Sequence, residues 1–157
     1  PLRATEGAAG IDIYLPEFTE FFLKMLENLN DNSRMVRVDG NKLLVMPACR
    51  VLLPTGVHFN IPEGTYLDVG TKSGRFKTTG LKVGSHVIDS DYQGEVLISL
   101  FNTSKTVAEL LSGQSIAQAI HKDYLSSIPT ERDFLELYSV KTERGEKGFG
   151  STDKLNG

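Results

Sequence analysis

The sequence has one cysteine, no tryptophan and three methionines in 157 residues. A lone thiol, Cys49, cannot close an intramolecular disulfide, and it fits a reducing compartment, cytoplasmic, nuclear or inside a host cell. Long apolar runs are missing, as is any recognisable signal peptide, so no membrane association is expected. Charge of one sign is also lacking. With 17 Lys and Arg against 20 Asp and Glu, the net charge of −3 gives no global pull towards nucleic acid or anionic lipid. Phosphate would have to be bound by locally placed cations and backbone amides. His58, His86 and His121 are scattered and Cys49 has no neighbouring cysteine. That excludes the His/Cys zinc site of a cytidine-type nucleobase deaminase. A Gly-x-Ser-x-Gly elbow is absent, which argues against an acyl-transfer hydrolase of that kind. No basic face interleaved with aromatics is evident, so direct nucleic-acid binding is not expected. The chain opens at Pro1, and a natural start further upstream is expected.

What is present reads as short extended segments separated by turn chemistry. Residues 35–38 and 42–46 flank Asp39-Gly40-Asn41, a hairpin signal. Val57-His58-Phe59-Asn60-Ile61 alternates apolar and polar and stops at Pro62-Glu63-Gly64, which predicts another strand. Residues 95–101 and 115–120 predict two more. Strands at this spacing, without alternating helices, predict an all-β barrel or jelly roll in a single domain over 1–157. One segment differs. Phe18, Phe21, Phe22, Met25, Leu26 and Leu29 recur at helical spacing within residues 17–30. The plain reading is a helix that docks its apolar face on the barrel; the sharper alternative is a helix that binds a partner.

Three local groupings could carry chemistry. Asp89-Ser90-Asp91-Tyr92-Gln93-Gly94 reads first as a hairpin turn, since Asp, Ser and Gly are ordinary turn formers. Its functional reading makes one carboxylate a general base for an attacking water. Thr71-Lys72-Ser73-Gly74 combines a cation, a hydroxyl and a glycine, and so could cradle phosphate oxygens. It is not a P-loop, because the upstream glycine spacing is missing. Residues 144–152 are Gly-rich around a single Phe, which reads either as a flexible tail or as a segment that folds over a ligand.

Taken in order, these segments resemble the five motifs of the trimeric dUTPase family. Ala8-Ala9-Gly10-Ile11-Asp12-Ile13 is similar to the first and Lys72-Ser73-Gly74 to the second. Residues 84–102 are similar to the third, Gly113-Gln114-Ser115-Ile116-Ala117-Gln118 to the fourth, and residues 144–152 to the fifth. The resemblance spans almost the whole chain, and the third and fifth motifs are its most specific parts. It implies a dUTPase-like jelly-roll β-barrel assembled as a homotrimer, with the C-terminal tail, 144–157, closing a neighbouring subunit's site. It implies hydrolysis of dUTP to dUMP and pyrophosphate with Mg²⁺. Such a reaction limits uracil incorporation into DNA and supplies dUMP for dTMP synthesis.

Roles follow from the same resemblance. Asp89 matches the carboxylate that deprotonates the attacking water, and Tyr92 the ring that packs on deoxyribose and excludes a 2′-hydroxyl. The backbone from Gly84 through Val87 and Ile88 matches a hairpin that reads the edge of uracil. Ser73, Gly74 and Gln118 match phosphate contacts, with Lys72 beside them. Arg144 is expected at the terminal phosphate, Phe149 stacked on uracil, and Gly150, Ser151 and Thr152 completing the lid. Asp12 matches an acid that meets the metal through water.

Several positions depart from the family pattern. Lys72 stands where arginine is usual, and a point charge cannot reproduce a planar fork. Ser85 and His86 replace smaller residues, Gln114 replaces a common acid, residues 17–33 look like an insertion, and the strand that normally precedes the first motif is not evident. Two other readings remain. A dCTP deaminase, or bifunctional deaminase and hydrolase, of the same superfamily would carry a Glu on the strand after the third motif, and here Val96-Leu97-Ile98-Ser99-Leu100 has no acid. A dUTPase-like regulatory binding protein would use the 17–33 insertion to hold a partner.

Overall fold

The computed structural model describes residues 1–31, 36–143 and 145. The chain divides into two compact units, Pro1–Leu125 and Ser126–Gly157. Among the described residues the first unit carries eleven strands and two helices. These are β1 Leu2–Arg3, β2 Gly10–Tyr14, α1 Glu20–Leu29, β3 Val36–Asp39, β4 Lys42–Val45, β5 Arg50–Pro54 and β6 Thr65–Gly70. They continue with α2 Ser73–Thr79, β7 Leu81–Val83, β8 Val87–Asp89, β9 Leu97–Asn102, β10 Ala108–Leu111 and β11 Ser115–Asp123.

Every strand pairing is antiparallel. The strands form three sheets, ordered β1-β2-β11-β6-β8, β10-β4-β3 and β5-β9-β7. Neighbours such as β2 and β11, or β5 and β9, lie far apart in sequence, the long-range crossing expected of a jelly roll. The all-β expectation is therefore met. A short strand, β1, does precede the first motif, paired through Leu2↔Asp12 and Arg3↔Ile11.

Alternation builds the core. On β9, Ile98, Leu100 and Asn102 face inward while Leu97, Ser99 and Phe101 do not. On β11, consecutive Ile116 and Ala117 are both buried, because the register slips between Ser115 and Ala117. The core is aliphatic, with Ile13, Leu15, Leu43, Leu53, Leu81, Ile98, Leu100 and Leu110 wholly enclosed. Asn102 is equally enclosed, yet its amide is fully used. It donates to the carbonyls of Val45 (2.9 Å) and Thr106 (2.8 Å) and accepts from the Ser104 N–H (2.9 Å) and hydroxyl (2.7 Å).

The hairpin at Asp39-Gly40-Asn41 forms as β3 and β4, paired Asp39↔Lys42 across a two-residue turn. The stretch 57–61 is not a strand. Its burial alternates as the sequence demands, with Ile61 enclosed and His58 and Asn60 exposed, but it lacks a ladder. Val57 merely accepts from the Val96 N–H at 2.8 Å. Packing on the core sets the alternation; a sheet would need a free neighbouring edge as well.

The helical expectation holds for α1. The Thr19 hydroxyl caps it by accepting from the Phe22 N–H at 3.2 Å. Phe22 and Leu26 are buried, and the Phe18 ring stacks on Phe22 with centroids 5.1 Å apart. Asn30 then ties the helix end to β5. Its amide donates to the Leu26 and Leu52 carbonyls (2.7 and 2.9 Å) and accepts from the Leu52 N–H at 2.9 Å. The docked-helix reading thus describes one face of α1, while Phe21, on another, is 72% exposed. We expect Asn30→Ala to lower the unfolding free energy by about 2 kcal/mol, because it strips a partner from the Leu52 amide. Chemical denaturation of both proteins measures this, and an unchanged midpoint would show that the clamp contributes nothing.

The second unit contains α3, Phe134–Leu137, followed by Tyr138, whose ring meets Phe134 edge-on at 6.3 Å. Among the described residues, no helix is long and apolar enough to cross a membrane.

Candidate functional site

Asp12 with Gln118, and Val87 with Asp89, form two groups on one face of the five-stranded sheet. The first group gathers where β2, β11 and β6 lie side by side. Gln118 is opposite Asp12 on one flank and opposite Gly70 on the other. Directly opposed residues share a face, so Asp12 and Gln118 project together. Asp12 is only 8% exposed, and the Lys72 ammonium closes on its carboxylate at 2.5 Å. Gly10 leaves room for the Gln118 side chain: a Cβ there would stand 3.1 Å from its carbonyl oxygen, Oε1, and the amide would have to shift. From Gly70 the chain runs through Thr71 and Lys72 into α2, so exposed Ser73 and Gly74 open that helix beside the group.

Arg75 follows directly and did not stand out in the sequence. Its Nε is enclosed without an acceptor among the described residues.

The second group lies on β8, at the edge of the same sheet. Asp89 is opposite Tyr66 and Val87 is opposite Asp68. The Val69 N–H donates to the His86 carbonyl at 2.6 Å, extending the ladder by one pair. Hydrogen-bonded and non-hydrogen-bonded pairs alternate along an antiparallel ladder, so the backbone groups of Val87 and Asp89 turn outward from β6. Among the described residues β8 has no partner on that side. It therefore presents N–H and C=O of Val87, then N–H of Asp89, along a free edge; the Asp89 carbonyl already accepts from the Tyr92 N–H at 3.2 Å.

Two expectations about this region need correction. The turn from Asp89 to Tyr92 exists, but it does not close a hairpin, because β8 and β9 belong to different sheets. Gly84 and Val87 likewise do not lie on paired strands. Gly84 extends the β7–β9 ladder, donating to the Ser99 carbonyl at 2.9 Å, whereas β8 pairs with β6. The three residues between β7 and β8 carry the chain from one sheet to another, and a short polar loop gives no local signal of that switch.

Two clefts meet at β8. A narrow one of about 180 Å³ is lined by Val87, Ile88, Asp89, Tyr92, Val96 and Leu97. A wider one of about 890 Å³ includes Asp89, Ser90 and Asp91 with Tyr66 and Tyr124. Asp89 lies on both. The Tyr92 hydroxyl donates to the Glu95 carbonyl at 2.8 Å, which lays the ring across Gly94. A Cβ at Gly94 would stand 2.6 Å from the ring carbon that bears the hydroxyl, so a side chain there would push the ring aside. Glu95 was missed as well, because an acid ahead of an apolar strand reads as a solvated residue.

The two groups are separated along β6, whose Tyr66 and Gly70 lie in their respective rows. Four residues of strand span about 13 Å. Between the rows, Lys122 hydrogen-bonds Asp68, which holds the lysine above its ordinary pKa through that bond and the carboxylate's charge. No cluster of three or more metal-binding side chains occurs among the described residues. Arg144, Phe149, Gly150, Ser151 and Thr152 lie outside the described residues.

A family model described as dUTPase matches residues 38–153. The chain is 34% identical over 152 residues to the deoxyuridine 5'-triphosphate nucleotidohydrolase of Avian adenovirus 8, covering 97% of this chain and 76% of that protein. It is also 34% identical to the enzyme of the same name from Paramecium bursaria Chlorella virus 1, covering 97% and 88%. Among solved structures, the Staphylococcus bacteriophage 80alpha dUTPase with dUPNHPP superposes with a TM-score of 0.72 at 21% identity, over 97% of this chain and 90% of that one. The native EIAV dUTPase gives 0.61 at 22% identity, over 83% and 88%. The structural matches support the jelly-roll fold.

Proposed function

The chain belongs to the dUTPase family and hydrolyses dUTP, and we propose that it does so at a site shared between subunits of a homotrimer, with Asp89 as the base. The observation that carries this reading is the free edge of β8, ending on Asp89 at the lip of two clefts.

That edge offers a donor, an acceptor and a donor in sequence. Uracil presents acceptor, donor and acceptor along O2, N3–H and O4, so the two edges complement each other. Cytosine presents an acceptor and a donor where uracil has the reverse, and would leave buried groups unmatched. Tyr92, fixed across Gly94, would pack on the deoxyribose and leave no room for a 2′-hydroxyl. Asp89 then holds a water against the α-phosphorus and takes its proton as the water attacks in line, with pyrophosphate as the leaving group.

The phosphate contacts come from Ser73, Gly74 and Gln118, with Lys72 and Arg75 supplying positive charge. What favours a site shared between copies is their separation from the Asp89 of their own chain, four residues or about 13 Å along β6. With the base on the Val87–Asp89 edge and the α-phosphate beyond Asp89, the triphosphate would extend away from its own Gln118 row, which lies on the Val87 side of Asp89. A second copy would then supply the phosphate contacts, and a cyclic trimer would repeat the arrangement three times. The tail, with Arg144 at the terminal phosphate and Phe149 on uracil, would close the site from a third copy.

The donor set suits a metal that arrives with its substrate. Mg²⁺ keeps several waters and binds through phosphates with few carboxylates, and Asp12, already paired to Lys72, would meet it through water. When bound, it offsets charge on the leaving pyrophosphate. The deaminase alternative is disfavoured by β9, Leu97-Ile98-Ser99-Leu100-Phe101-Asn102, which carries no acid.

The purified protein is expected to release pyrophosphate from dUTP with Mg²⁺, and to act on dCTP, dTTP and UTP at least about a hundredfold more slowly, as a site built on hydrogen bonds discriminates. Comparable rates on all four nucleotides, or ammonia from dCTP, would overturn the assignment.

A further inference from the structure

The segment that bears Asp89 and Tyr92 is held from behind by a side chain without an assigned role. The Glu95 carboxylate oxygen Oε1 accepts from the Thr55 N–H at 2.8 Å and the Gly56 N–H at 2.7 Å. Both amides belong to a bend without strand partners, so they depend on this oxygen. Thr55 binds in return, its buried hydroxyl donating to the Val96 carbonyl at 2.6 Å. Val96 N–H donates to the Val57 carbonyl at 2.8 Å, and His58 Nδ1 meets the Gln93 carbonyl at 3.2 Å. Residues 93–96 are thereby stitched to 55–58.

The main-chain carbonyl of Glu95 is the acceptor for the Tyr92 hydroxyl. One residue thus links the anchor to the ring, with its carboxylate on the bend and its carbonyl on the phenol. We propose that Glu95 is a positioning residue for sugar selectivity, holding the Tyr92 ring where a ribose 2′-hydroxyl would collide with it. The inference deepens the proposed function, since it rests on Tyr92 facing the sugar. A tyrosine whose hydroxyl is committed to the protein cannot turn aside to admit a bulkier sugar. Loss of the carboxylate leaves the Thr55 and Gly56 amides unmatched and loosens residues 93–96, and with them the carbonyl that holds the ring. Asp89, held by the β6 ladder, keeps its place.

The test compares kcat/KM for dUTP and UTP in Glu95→Ala, Glu95→Gln and Tyr92→Phe. In Glu95→Ala the preference for dUTP is expected to fall roughly tenfold, the scale of lost hydrogen bonds to a charged group. The change should come mainly from faster UTP hydrolysis. Glu95→Gln retains an oxygen for both amides and should restore most of the preference, which general destabilisation would not do. Tyr92→Phe removes only the bond to the Glu95 carbonyl, keeps the fold, and should lose preference as Glu95→Ala does. An unchanged ratio in Glu95→Ala and Tyr92→Phe, with dUTP still hydrolysed, would overturn the role of Glu95 and leave the proposed function standing. No hydrolysis of dUTP by the unsubstituted protein would remove both.

Discussion

Asp89→Asn is expected to lower turnover of dUTP by about 10²- to 10⁴-fold, the range over which a positioned general base contributes. The substitution keeps the side chain's shape and its place at the end of β8, opposite Tyr66. It replaces a carboxylate that can take a proton with an amide that cannot. Binding of a non-hydrolysable dUTP analogue should persist, because base and sugar are held by the backbone edge of Val87 and by Tyr92. Calorimetric titration alongside a pyrophosphate assay separates the two effects. Unchanged pyrophosphate release would take the role of base away from Asp89; lost analogue binding would give that carboxylate a binding role instead.

Gln118→Glu is expected to raise KM for dUTP by roughly ten- to a hundredfold, the cost of like charges brought together where water is partly excluded. Position 118 sits between Asp12 and Gly70, and Asp12 is already engaged by Lys72. A new carboxylate there would face the incoming triphosphate and compete with it for the Lys72 ammonium that Asp12 already engages. The change is isosteric, so the fit over Gly10 should survive and with it the fold. Added salt should narrow the gap between the two proteins, since screening weakens repulsion. An unaltered KM would move the phosphates elsewhere.

The elements followed from the sequence where local pattern and tertiary pairing agree. The α1 helix was legible because Phe18, Phe22 and Leu26 repeat at helical spacing behind a capping Thr19. The β3–β4 hairpin was legible because its turn residues are explicit. Residues 57–61 misled because alternation reports burial on one face and says nothing of a neighbouring edge. The passage from β7 to β8 misled because a change of sheet is decided by distant partners, β9 for one and β6 for the other.

The site was legible mainly through motif order. Asp89, read alone, is a turn residue, and Lys72-Ser73-Gly74 is a weak phosphate signal. What fell outside any motif reading was support: Glu95 reaching Thr55 and Gly56, Gly94 beneath the Tyr92 ring, and Arg75 with its unmatched Nε. Those roles depend on which loops meet in space, and they have no period or spacing to betray them.

The shared site is tested most directly by mixing Asp89→Asn chains with Gln118→Glu chains, unfolding them together and refolding, then assaying dUTP hydrolysis at low substrate. If base and phosphate contacts come from different copies, random assortment leaves roughly a quarter of the sites with both intact, and activity should rise well above that of either parent. If each chain builds its own site, every site in the mixture carries one defect. The mixture would then be no more active than the average of its parents, and the account of a catalytic centre between subunits would be wrong.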